Sequence, residues 1–186
     1  MRPENLIPKN ILITGTPGVG KTSLFRQVAR ECAPYRPVGF FTGEIREQGV
    51  RVGFSLTGLD GGEGVLAHVA LRGRYHVGKY TVDIEGFEAF IEDILITGPG
   101  TRLVMIDEIG KMECLSPRFR RRVREILDSE IPFVATVALR GNAGIDSIKA
   151  RNDTVVYGVT RDNREVLGGE IIGTIRELVG ITGHPG

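Results

Sequence analysis

Gly15, Gly20, Lys21 and Thr22 stand at the spacing G-x-x-x-x-G-K-[ST] within the stretch GTPGVGKTS. These residue types suit one task, the holding of a chain of phosphates. Glycines let successive backbone N–H groups turn inward toward phosphate oxygens, and the first turn of a following helix adds its positive dipole end. Lys21 brings a mobile point charge to the β- and γ-phosphates, and the Thr22 hydroxyl is the expected ligand for Mg²⁺. Thr16, Pro17, Gly18 and Val19 complete the loop.

The stretch LVMIDEIGKME, from Leu103 to Glu113, decides what such a loop serves. An apolar run ends on Asp107, at the carboxyl end of a strand, where ligands of open α/β sheets bind. Asp107 is expected to hold Mg²⁺ through a water. Glu108 is expected to orient or deprotonate a water attacking the γ-phosphate. A phosphotransferase excludes water and binds an acceptor, so a carboxylate dedicated to water points to hydrolysis.

Further charged residues have two readings each. Arg46 either reaches the γ-phosphate as an arginine finger in cis or forms a structural salt bridge. Lys111 and Glu113 either join the site or pair with each other. Arg151 and Arg164 either stack on a base or meet phosphates, or are surface arginines. Arg118, Arg120, Arg121, Arg122 and Arg124 form one local basic cluster, read as a solvated outer face rather than a nucleic-acid surface, since no aromatics are interleaved. His68, His76 and His184 are isolated and are given no catalytic role.

The elements that must position these residues follow from hydrophobic periodicity. Asn10 to Thr14 reads as a buried strand entering the loop, and Phe25, Val28, Ala29 and Cys32 repeat at helical spacing up to Pro34. From Val38 to about Leu71, VGFFTGEI, VRVGFSLTGL and VLAHVAL read as an antiparallel or mixed β insert with glycine-rich turns. Phe87, Phe90, Ile91 and Ile94 mark a helix, and Arg102 to Ile106 a buried strand. Ser116 is an N-cap before Pro117, with Phe119, Val123, Ile126 and Leu127 inward. PFVATVAL is a strand, a short helix lies near Ile145 to Ala150, and TVVYGV is the last strand. Thr160 caps a closing helix striped by Leu167, Ile171, Ile175 and Leu178. Strands alternating with helices imply a mostly parallel sheet covered on both faces.

Composition sets the outer bounds. The 186 residues are 41% hydrophobic and carry a formal net charge of +1, enough for one sizeable core and without a global pull toward nucleic acid or anionic membrane. A single domain over 1–186, nucleoside triphosphates as partners, a monomer and a cytoplasmic location are the expectations. No apolar run approaches a membrane span, and the start MRPENLIPKN lacks a signal-peptide core. Cys32 and Cys114 belong to no ligand cluster and read as reduced core residues.

The segments GTPGVGKT, GFFTGEIR (Gly39 to Arg46), VGFSL, VGKYTVD (Val77 to Asp83), IDEIGKME (Ile106 to Glu113) and VTRDNR (Val159 to Arg164) together closely resemble a family. It comprises the small nucleoside triphosphatases described from thermophiles and their human cancer-related relative. The segments cover nearly the whole chain in the family's order. The resemblance implies a three-layer, RecA-like α/β P-loop domain with an extra strand between the loop strand and the Asp107 strand. It implies Mg²⁺-dependent hydrolysis of ATP, GTP, CTP and UTP or TTP to the diphosphate and phosphate, with little preference among bases. Carried over by position, nucleotide contacts are residues 15–22 together with Leu103, Val104, Met105, Ile106, Asp107, Glu108, Ile109 and Gly110. Glu108 takes the catalytic place. Gly43 departs from the family, whose members often carry a second acidic residue beside Glu44, and leaves the role of Glu44 open. The competing readings are a nucleotide or nucleoside kinase and a slow NTPase switch acting on a partner.

Overall fold

The computed structural model describes residues 8–141 and 143–182. His184 and the first seven residues of the chain lie outside these. Among the described residues nine strands form one sheet in the order β5-β6-β4-β3-β2-β7-β8-β1-β9. They are β1 (Asn10–Thr14), β2 (Val38–Glu47), β3 (Val50–Gly58), β4 (Glu63–His68), β5 (His76–Val77), β6 (Tyr80–Val82), β7 (Val104–Ile109), β8 (Phe133–Val137) and β9 (Thr154–Gly158). Strands β2, β7, β8, β1 and β9 run parallel. The β8 strand lies between β1 and β7, as the resemblance implies. The β insert is a continuation of this same sheet, added antiparallel beyond β2 through β3, β4, β6 and β5. Two of its strands, β5 and β6, are too short to leave a period in the sequence.

Alternation along the parallel strands sorts side chains into two cores. Val104, Ile106, Phe133, Ala135 and Leu12 face one way, beneath α2 (Ile84–Ile94) and α3 (Pro117–Asp128), with Ile145 of α4 (Ala143–Lys149). Leu103, Met105, Val134, Ile11 and Ile13 face the other, beneath α1 (Lys21–Glu31) and α5 (Arg164–Thr182). Both faces are therefore apolar, which is why these strands read as continuous hydrophobic runs. Phe119 and Phe87 are fully buried with ring centroids 5.3 Å apart. Burial of each stabilises the α2–α3 layer by roughly 1.5–3 kcal/mol.

Local chemistry fixes the element ends. The Ser116 hydroxyl accepts the Phe119 N–H at 3.0 Å, and Pro117 occupies the first helical position of α3. Asp83 caps α2 through Gly86 N–H at 3.0 Å. Thr160 does not cap α5 directly. It exchanges two bonds with Asn163, whose own carbonyl accepts Leu167 N–H, so the helix begins one turn later than the sequence suggests. Gly39 is required where β2 meets β7: its φ is +145°, and a methyl group there would collide with the Met105 carbonyl.

The arginines of α3 lie on its outer face as expected, with Arg118, Arg120, Arg121 and Arg124 exposed, and two of the five also tie the helix to α2. Arg118 pairs with Glu88 at 3.3 Å and with Glu92, and Arg122 bonds the Leu95 carbonyl, Thr97 and Glu125. They join α3 to α2, which leaves less free charge for a polyanion. Burial pushes the Cys32 and Cys114 thiols up to about 11, so both stay protonated.

Candidate active site

The loop after β1 leads into α1 through Gly20, whose φ is +104° and which offers no capping side chain. No acidic residue occupies the first turn of α1. Its free N–H groups are thus left for an external anion. Val19 is buried in the core under α1 and α5 and anchors the loop, while Thr16, Pro17 and Gly18 are exposed. Lys21 Nζ donates to the carbonyls of Gly15 at 3.1 Å and Thr16 at 3.3 Å, folded over the loop that it would otherwise serve with charge. Arg164, at the start of α5, lies against Gly20: a methyl group on that glycine would stand 2.7 Å from Arg164 Nη1. Thr16, Gly18, Val159 and Arg161 help line a shallow cavity of about 320 Å³ on the outer side of the loop.

Asp107 and Glu108 lie at a bulge in β7. Ile106 is opposite Ala135 and Ile109 opposite Val137, so β7 advances three residues while β8 advances two. Glu108 has a φ of +79°, a conformation that costs a non-glycine residue about 1–3 kcal/mol. Regular alternation would send Glu108 toward α2 and α3. Ile109 takes that core position instead, and Glu108 is left exposed at the strand end.

Asp107 is fully buried. Its Oδ1 accepts from Thr136 Oγ1 at 2.8 Å, and its Oδ2 has no hydrogen-bond partner among the described residues. Burial pushes its carboxyl up to about 6, and the hydroxyls of Thr136 and Thr22 pull it back. Glu108 adds to the rise, and the guanidinium of Arg26 opposes it. A buried carboxylate oxygen without a partner, beside the Thr22 hydroxyl, fits a hard divalent cation or its water shell.

The rest of the Asp107 segment divides sharply. Leu103, Val104, Met105 and Ile106 have no exposed surface, and Ile109 is 2% exposed. They are core residues whose side chains hold the strand, and the polar groups of the segment are Asp107 and Glu108, beside Gly110. Arg46 is also placed away from the loop. It sits near the β2–β3 turn, paired with Glu44 at 2.6 Å and bonded to the Gly49 carbonyl at 2.8 Å. It is about 13 Å further along the strand than Thr42. Glu44 also pairs with Arg51 at 2.8 Å and so clamps the hairpin. At Gly43 a methyl group would stand 2.8 Å from Ser55 Oγ, which disfavours a larger residue. Arg151 is held by Asp153 and Asp128.

Two contributors escaped the sequence reading. Thr136 is the one hydroxyl residue flanked by apolar neighbours in the strand PFVATVAL, and that isolated polar group was the available signal. Arg26 follows Thr22 by one helical turn. It reaches the Thr42 carbonyl at 3.4 Å and lies 4.7 Å from the Phe41 ring centroid, which leaves its charge near Asp107.

A family model described as NTPase matches residues 10–172. The chain belongs to this NTPase family. It is 42% identical over 167 residues to "Nucleoside-triphosphatase THEP1" of Thermotoga sp. (strain RQ2), covering 89% of this chain and 95% of that protein. The crystal structure of THEP1 from the hyperthermophile Aquifex aeolicus matches with a TM-score of 0.77 at 31% identity, over 89% of this chain and 98% of that one. The solution structure of a human cancer-related nucleoside triphosphatase matches with a TM-score of 0.77 at 33% identity, over 90% and 97%. The sheet that carries the NTPase loop and the Asp107 bulge is thus the family's shared fold.

Proposed function

We propose that the chain is a Mg²⁺-dependent nucleoside triphosphatase in which Glu108 activates the attacking water. Family membership supports the class, a hydrolase acting on nucleoside triphosphates. The bulge carries the finer reading. It buries Asp107 beside Thr22 with one oxygen unpartnered and leaves the next carboxylate exposed. Thr22 and Asp107 would hold Mg²⁺, which neutralises charge on the β- and γ-phosphates when bound. Lys21 would leave the Gly15 and Thr16 carbonyls for the phosphates, and the N–H groups of residues 15–22 would orient them. Glu108 takes a proton from water as the γ-phosphoryl group passes to it, releasing the diphosphate and phosphate. The cavity beside Thr16 and Val159 contains few side chains that could read a base, in keeping with tolerance of ATP, GTP, CTP and UTP or TTP.

The test is Glu108→Gln. Phosphate release from ATP and GTP should fall at least a hundredfold, while affinity for the triphosphate is retained. Normal turnover in that variant would remove Glu108 from the mechanism. Release without dependence on Mg²⁺, measured in EDTA, would remove the metal.

A further inference from the structure

Beyond Glu108 the sheet end opens into a second cavity of about 470 Å³. Its apolar walls include Phe54, Val77 and Ile145, which all pack with the core beneath α2 and α3. The phosphate loop supplies none of its lining, and α1 packs against the core on the opposite face of the sheet. The cavity is therefore distinct from the nucleotide loop and shares Glu108 with the proposed reacting centre. Its volume falls within the range of small-molecule sites.

The polar lining is chemically divided. Lys111 and Arg140 come from different connections, after β7 and after β8, and both border the cavity. Neither forms a salt bridge or side-chain hydrogen bond within the described residues, unlike the arginines that tie α3 to α2. Two free cations at one cavity suit a dianionic phosphate, which Arg binds through a fork and Lys as a point charge. Glu108 and the buried Glu113 also line it. Carboxyl groups accept or exchange hydrogen bonds with hydroxyls, and Phe54 offers an apolar surface to a ring.

The geometry points to a second ligand site for a small phosphorylated molecule bearing a hydroxylated ring, its phosphate on Lys111 and Arg140 and its hydroxyls toward Glu108. The bounded volume favours a free small molecule over a polymer. An occupant would stand between Glu108 and solvent on the face opposite α1.

The test is calorimetric titration of the full chain carrying Mg²⁺ and one equivalent of ADP, so that the phosphate loop is filled and the second site stays open. AMP is the probe, with ribose 5-phosphate, adenosine and inorganic phosphate as separate arms. AMP and ribose 5-phosphate should each bind at one further equivalent. Adenosine, lacking the phosphate, should bind at least about tenfold more weakly, and inorganic phosphate, lacking the ring, likewise. Lys111→Gln and Arg140→Gln should each weaken AMP binding by at least about tenfold. Both side chains are exposed, and an unchanged melting temperature checks the fold of each variant. Absence of AMP binding, equal binding of adenosine, or unchanged affinity in both variants overturns the site. The adenosine arm needs no variant. The titration reads no turnover: its failure leaves the hydrolytic reading standing, and normal turnover in Glu108→Gln leaves this site standing.

Discussion

Replacing Glu113 by glutamine should change how stability depends on pH. Glu113 is 3% exposed, and its Oε2 accepts the Gly110 N–H at 3.1 Å. Burial, then the negative charge of Glu108 and more weakly that of Asp107, push its carboxyl up from 4.5 to about 8, against the backbone N–H groups of Glu113 and Gly110. Between those values the folded protein keeps a proton that the unfolded chain has shed. This contribution to stability is full below about pH 4.5 and is lost as pH rises through 8. The full displacement corresponds to on the order of 5 kcal/mol, at about 1.4 kcal/mol per pH unit. Glutamine cannot ionise and keeps an oxygen for Gly110. Urea unfolding in EDTA, run on both proteins between about pH 5 and pH 8.5, isolates the effect as a difference. Wild type should be close to the variant at the acid end and lose at least about 2 kcal/mol relative to it at the alkaline end. A difference that stays constant across that range would refute a proton held by Glu113.

Substitutions at three other positions probe the frame around the site. Gly39→Ala should cost about 4 kcal/mol or more in urea unfolding, or prevent folding, because the added methyl group meets the Met105 carbonyl where β2 joins β7. Arg46→Ala should leave phosphate release within about twofold and shift stability by less than about 1 kcal/mol, as expected for an exposed pair with Glu44; a hundredfold loss of turnover would restore the arginine-finger reading. Glu108→Gly should be more stable than Glu108→Ala by about 1 kcal/mol, because only glycine adopts a φ of +79° without strain, and equal stabilities would show that the bulge stores none.

The fold was legible wherever periodicity reports burial. The run LVMI reads as a buried strand, and the structure covers both its faces, with Val104 and Ile106 in one core and Leu103 and Met105 in the other. The cap at Ser116 and the loop opening at Gly20 were legible because their chemistry is local. The extent of the antiparallel extension was not, since β5 and β6 have only two and three residues and owe their strand character to pairing with distant partners. For a related reason residue order left Arg46 with two readings, of which the structure forms the salt bridge. Its position after the first helix suggested reach, but its direction depends on a hairpin in which Glu44 faces both Arg46 and Arg51.

The two carboxylates show where residue order stops and three-dimensional placement begins. Adjacent residues in a regular strand point to opposite faces, so Asp-Glu alone would send one carboxylate toward α1 and the other into the core beneath α2 and α3. The extra residue in β7 removes that conflict: Ile109 fills the core position, Asp107 stays buried beside Thr136, and Glu108 leaves the sheet at its end. The same displacement puts Glu108 on the rim of the cavity that Lys111 and Arg140 border. One bulge therefore separates a buried carboxylate suited to a cation from an exposed one accessible to an oxygen nucleophile.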